Sequence, residues 1–145
     1  LLNMQNSQSV NVQAVDNVLN SVWKLFEKNG YQPFRSDMQW ELLINGAADI
    51  RKKYASDPHV GNYCGAMLLS VQDYYVHKGK EKEDGQAAVP DRNGIYNAVQ
   101  DIHRIIKGEA EADAASQKYT KCSPAVRELF GDMVAAAAEL KGAGG

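Results

Sequence analysis

Apolar residues recur along this chain at the spacing of one helical face, segment after segment. Val15, Val18, Leu19, Val22, Leu25 and Phe26 form the first stripe. Asn29-Gly30 follows it as a stop, since both residues tolerate the left-handed conformation that ends a helix. Ser36 and Gln39 then have the spacing of a capping box, and Trp40, Leu43, Ile44, Ala47, Ile50 and Tyr54 fit a second helix. A rival reading exists there: Met38, Trp40, Leu42 and Ile44 alternate, and Asn45-Gly46 is a hairpin signal. Helix is favoured, because Ala47-Ala48-Asp49 suits a strand poorly and Arg51-Lys52-Lys53 suits a helix C-terminus.

Ser56-Asp57-Pro58 ends that segment, since proline restricts its predecessor and cannot continue the ladder. Tyr63, Cys64, Met67, Leu68, Val71, Tyr74 and Tyr75 make a third stripe. Residues 77–91 are hydrophilic, with two glycines, one proline and mixed charge, and read as a long polar loop. Ile95, Val99, Ile102, Ile105 and Ile106 predict a fourth helix that stops at Gly108. Residues 109–120 read either as a short exposed helix or as a loop. In the last helix Ser123 is the cap, Pro124 sits in the first turn, and Val126, Leu129, Phe130, Met133, Val134, Ala137 and Leu140 form the apolar face.

The expected fold class is therefore all-α: a compact single-domain bundle of about five helices, residues 1–145, with one long polar loop at 77–91. Residues 1–11, rich in Asn, Gln and Ser, and the glycine-rich 142–145 are expected to be flexible. The start at Leu1-Leu2 without a methionine suggests a piece of a longer product.

Composition narrows the function classes. A chain of 145 residues is long enough to bury a core without a disulfide or metal. A net charge of −2 gives no electrostatic case for nucleic acid or an anionic membrane. The Lys78, Lys80 and Lys82 cluster is interleaved with Glu81, Glu83 and Asp84, which cancels its field. No apolar run reaches the ~20 residues that span a bilayer, so no membrane insertion is expected.

Cys64 and Cys122 are the only cysteines, and a disulfide between them is the expectation. It requires the third and last helices to be parallel neighbours. Such a bond places the chain in the periplasm or the secreted fraction; free thiols would place it in the cytoplasm. A thiol near a helix start can also be a nucleophile, and Tyr63-Cys64-Gly65 superficially resembles the catalytic helix of papain-like enzymes. The strands that carry the base in such folds are missing, and nothing fixes His59, His77 or His103 beside the sulfur. The histidines have no metal-ligand spacing, and His103 reads as a solvated side chain. Neither a metal nor another cofactor is expected.

What remains is a binding protein. A small two-cysteine helical domain is similar, in outline only, to periplasmic immunity and inhibitor proteins of bacteria, and that likeness assigns no residue. The leading expectation is a non-enzymatic module of inhibitor, immunity or adaptor type, whose partner is another protein. Its contact residues would be Tyr74, Tyr75, His77 and Lys78 at the start of the loop, with one of the two tyrosines near the surface. The alternative is a helical small-molecule-binding or sensor domain with Met67, Trp40 and Phe130 lining a pocket. A thiol enzyme using Cys64 comes third.

Overall fold

The computed structural model describes residues 12–83 and 91–144, and every regular element among them is helical. In chain order these are α1 (Val12–Asn29), α2 (Asp37–Lys53), α3 (Pro58–Glu83), α4 (Arg92–Ile106), α5 (Ala112–Ser116) and α6 (Pro124–Gly144). A 3-10 turn at Gln117–Tyr119 follows α5. The sixth helix, beyond the five expected, is thus the short α5 in the alanine-containing stretch.

Local chemistry sets the boundaries. Gly30 closes α1 at φ 83°, with its N–H donated to the Phe26 carbonyl at 2.8 Å. The capping box of α2 is formed: Gln39 N–H donates to Ser36 Oγ at 3.4 Å, and Ser36 N–H donates to Gln39 Oε1 at 3.2 Å. Asp57 opens α3, its Oδ1 accepting from the N–H groups of His59 at 3.0 Å and Val60 at 3.2 Å. Gly108, at φ 77°, ends α4 with Glu109 N–H bonded back to the Arg104 carbonyl at 2.8 Å. Ser123 Oγ accepts from Val126 N–H at 3.3 Å and caps α6.

The polar loop expected at 77–91 is corrected in its first half. Residues 77–83 continue α3 as helix, and residues 84–90 lie outside the described part. The physical reason is that Lys78 and Glu81 extend the stripe of Val71 and Tyr74 at helical spacing and are themselves buried. The 26-residue α3 is about 39 Å long. The expected flexibility of residues 1–11 falls on residues that are not described, whereas α6 runs on to Gly144.

Helix α3 is the centre of the arrangement. It packs most extensively on α6 and also on α1 and α2, while α4 lies against α6 and α1. Contacts at both ends make α3 and α6 antiparallel. Ala125 at the start of α6 binds Glu81 near the end of α3, whereas Ala136 and Leu140 share a cleft with His59 and Tyr63 of early α3. Helix α2 is antiparallel to α3 as well, with Arg51 beside Gly65 and Trp40 close to Phe34, which stacks on Tyr75. No helix among the described residues is long and apolar enough to cross a membrane.

Candidate functional site

Three of the four residues expected to meet a partner are inside the protein. Tyr74, Tyr75 and Lys78 are 0%, 1% and 1% exposed; His77 alone keeps part of its surface. Adjacent helical side chains diverge by about 100°, which is why one tyrosine was expected outside. Because α3 is covered on several sides, its buried arc is wide enough to take both. Tyr74 meets the edge of Phe26, with ring centroids 5.4 Å apart, and its hydroxyl lies 2.6 Å from the Tyr31 carbonyl oxygen. Tyr75 stacks on Phe34 at 4.2 Å and donates its hydroxyl proton to the Gly30 carbonyl. The connector between α1 and α2 therefore folds over both rings.

Below them lies a buried charge cluster. Lys78 Nζ is 2.7 Å from Asp91 Oδ2 and 3.3 Å from Glu81 Oε1. The hydroxyls of Tyr74, at 2.8 Å, and Ser123, at 3.1 Å, also reach Asp91 Oδ2. Glu81 Oε2 accepts from Ala125 N–H at 2.9 Å, where the orphan donors and positive dipole end of α6 favour an anion. One cation and two carboxylates thus tie the end of α3 to the starts of α4 and α6. Burial and the Asp91 carboxylate push the Tyr74 phenol well above its ordinary pKa, keeping it a proton donor. The sequence carried a signal for this cluster: Lys78 and Glu81 occupy the apolar register of α3 rather than a solvated face.

The disulfide expectation is overturned: both cysteines are free. The antiparallel packing is the reason. Cys122 neighbours Gly94 at the beginning of α4, near Asp91 and hence near Lys78. Cys64 lies 14 residues before Lys78 on the same helix, about 21 Å away along its axis. Cys64 is 0% exposed, and burial pushes its thiol up to about 11 against a weaker opposing pull from Arg51. A sealed, protonated thiol is the reverse of an activated nucleophile. Native protein at pH 8 should therefore leave Cys64 unlabelled by iodoacetamide while partly exposed Cys122 reacts, as peptide mass mapping would show; rapid labelling of Cys64 would contradict its burial. The same raised value makes the Cys64 contribution to stability complete below the unfolded thiol pKa near 8.5 and progressively lost as pH rises through about 11.

Two further polar sites were not anticipated. His103, expected to be solvated, has Nδ1 2.7 Å from Asp16 Oδ1, and Lys107 Nζ lies 3.5 Å from the other carboxylate oxygen. Asp101, 2% exposed, accepts from the Tyr119 hydroxyl at 2.6 Å and from Lys118 Nζ at 3.2 Å. Tyr119 in turn stacks on Phe130 at 4.3 Å, fastening the 3-10 turn to α6. Both pairs bridge segments that periodicity places separately, so neither has a local signature. Among the described residues the buried Tyr63 hydroxyl has no hydrogen-bond partner.

Exposed apolar surface is concentrated elsewhere. Met38, Leu42 and Ile44 on α2 and Leu69 and Val76 on α3 are 45–68% exposed, and among the described residues only Val12 and Tyr96 join them as large exposed apolar side chains. Helix α2 buries just Leu43 and Ala47, so it shows more large apolar side chains to solvent than it hides. The Arg51 guanidinium lies beside Gly65 where α2 meets α3, and partly exposed His77 follows Val76 on α3. The chain matches no family model, no curated protein and no solved structure.

Proposed function

We propose that this chain is a non-enzymatic protein-binding module, a helical domain of inhibitor, immunity or adaptor type, which meets its partner through the outer faces of α2 and α3. The observation that carries the reading is the gathering of Met38, Leu42, Ile44, Leu69 and Val76 on those two adjacent helices. Met38 and Leu42, one turn apart, share one face of α2, and exposed apolar surface of that kind marks interaction sites. The contact face accordingly moves from Tyr74, Tyr75 and Lys78 to the outer surfaces of α2 and α3, while His77 lies near Asp132 of α6. Free thiols remove the disulfide ground for an oxidising compartment, so the proposal stands without one.

Immobilised protein, exposed to extract of its source cells, should retain a partner that the double variant Met38→Glu/Leu42→Lys loses by more than tenfold, the loss expected when one or two interface anchors are removed. Both substitutions replace exposed side chains, so the thermal midpoint should stay within a few degrees. Equal capture by both proteins would sink the α2 face as the contact.

One observation favours a second reading, a small-molecule-binding or sensor domain. The orphan Tyr63 hydroxyl belongs to a residue lining a cleft of about 330 Å³ with His59, Asn62, Ala66, Ala136 and Leu140. The pocket is thus not the one expected from Met67, Trp40 and Phe130: Met67 and Phe130 are core residues, and Trp40 packs edge-on against Phe34. Native mass spectrometry of protein from its source, showing no retained small molecule, would remove this reading.

A further inference from the structure

The Lys78–Glu81–Asp91 cluster is sealed from substrates. The side chains of Lys78 and Asp91 are each 2% exposed, so their available reaction partners are one another. Lys78 Nζ lies 2.7 Å from Asp91 Oδ2, and with a carbon–oxygen bond of about 1.23 Å it sits no more than about 4 Å from Asp91 Cγ. The Ser123 hydroxyl donates to that same Oδ2 at 3.1 Å, and the Tyr74 hydroxyl reaches it at 2.8 Å, its single proton shared with the Tyr31 carbonyl oxygen at 2.6 Å. Donors fixed on a carboxyl oxygen polarise the carbon beneath it and stabilise the oxyanion formed on attack. A second carboxylate, Glu81, touches the attacking nitrogen at 3.3 Å. Electrophile, oxyanion donors, nucleophile and proton relay are therefore all assembled.

We propose that Lys78 and Asp91 condense into an intramolecular isopeptide bond, with Glu81 carrying the protons. One proton leaves the Lys78 ammonium through Glu81 and converts Asp91 to its carboxylic acid. The freed amine lone pair attacks Cγ, forming the carbon–nitrogen bond and placing negative charge on Oδ2 under the Tyr74 and Ser123 hydroxyls. A second proton passes from nitrogen through Glu81 to the remaining carboxyl hydroxyl, that carbon–oxygen bond breaks, and water departs. Ammonium plus carboxylate give amide plus water, the cluster carries one net negative charge before and after, and no oxidant or cofactor enters. The fixed geometry of the site drives the reaction. Fixed juxtaposition of reactants reaches effective molarities of about 10⁵–10⁸ M.

The test is the mass of the full chain, folded, then denatured and measured intact, followed by tryptic mapping. The linked chain is lighter by one water. Trypsin should fail to cut after Lys78, and peptide 54–80 should emerge joined to peptide 83–92, with fragment ions placing the bond between Lys78 and Asp91. Lys78→Arg and Glu81→Gln should each restore the full mass. A full-mass chain with free cleavage after Lys78 overturns the proposal, whatever the variants do. So does a water loss carried by an unjoined 83–92 peptide, since Asp84-Gly85 can close to a succinimide of the same mass.

Discussion

Measured against full-mass, unlinked wild-type chain, replacing Lys78 with methionine should lower the unfolding free energy by about 3–5 kcal/mol, the usual consequence of leaving a buried charge without its partner. Methionine fills nearly the same volume, so the loss is electrostatic: Asp91, 3% exposed, and Glu81, 9% exposed, would face each other across the end of α3 with no cation between them. Globular domains are stable by only about 5–15 kcal/mol, so the variant sits near the edge of folding at 37 °C. Urea unfolding followed by far-ultraviolet circular dichroism measures the effect. Adding Asp91→Asn should recover part of it, because the two substitutions remove both members of one pair and are far from additive. A single variant within 1 kcal/mol of wild type would mean that the cluster is wetter than its geometry states.

Phe26→Ala is the second large effect, at about 3–5 kcal/mol. Phe26 is fully buried and is the ring against which both α3 tyrosines pack, with centroids 5.4 Å from Tyr74 and 5.9 Å from Tyr75. Its removal opens a cavity at the α1–α3 contact and loosens two rings whose hydroxyls bond the connector at Tyr31 and Gly30. The loss should therefore appear in the urea midpoint and also in amide exchange, with faster exchange along the last turn of α1 and the connector. Phe26→Leu, which keeps most of the volume, should cost less than half as much. Equal losses for the two variants would assign the effect to the ring contacts rather than to the cavity.

Much of this architecture is legible in the residues. The stripes of α1, α3, α4 and α6 and the stops at Gly30 and Gly108 depend on neighbours within two turns, and local periodicity and cap chemistry report them directly. Ala47-Ala48-Asp49 and the basic Arg51-Lys52-Lys53 end likewise decide helix over hairpin for α2, and the Ser36–Gln39 box marks its start. Polarity misleads at the end of α3. Lys78 and Glu81 look solvated by composition, yet they hold core register because each finds an opposite charge or a helix terminus from a segment 13 or more residues away. The expected disulfide failed for a related reason: stripes reveal which face is buried but not the direction in which two helices pass. The Asp16–His103 and Asp101–Tyr119 pairs join positions 87 and 18 residues apart, and no local rule connects them. The exposed face of α2 was readable as apolar, but which of its residues stay uncovered depended on the light packing of that helix.

The antiparallel pairing of α3 with α6 also has a consequence for synthesis. A nascent chain emerges N-terminus first, so α3 leaves the ribosome about 40 residues before the helix that covers its largest face. During that interval α3 has α1 and α2 for company but lacks α6 and the Ala125 amide that Glu81 binds. Successful biogenesis then hinges on α6: a ribosome stalled or a message truncated before the Pro124 codon releases a product with an open apolar trough and a Glu81 carboxylate lacking its Ala125 donor, a natural client for chaperones and proteases.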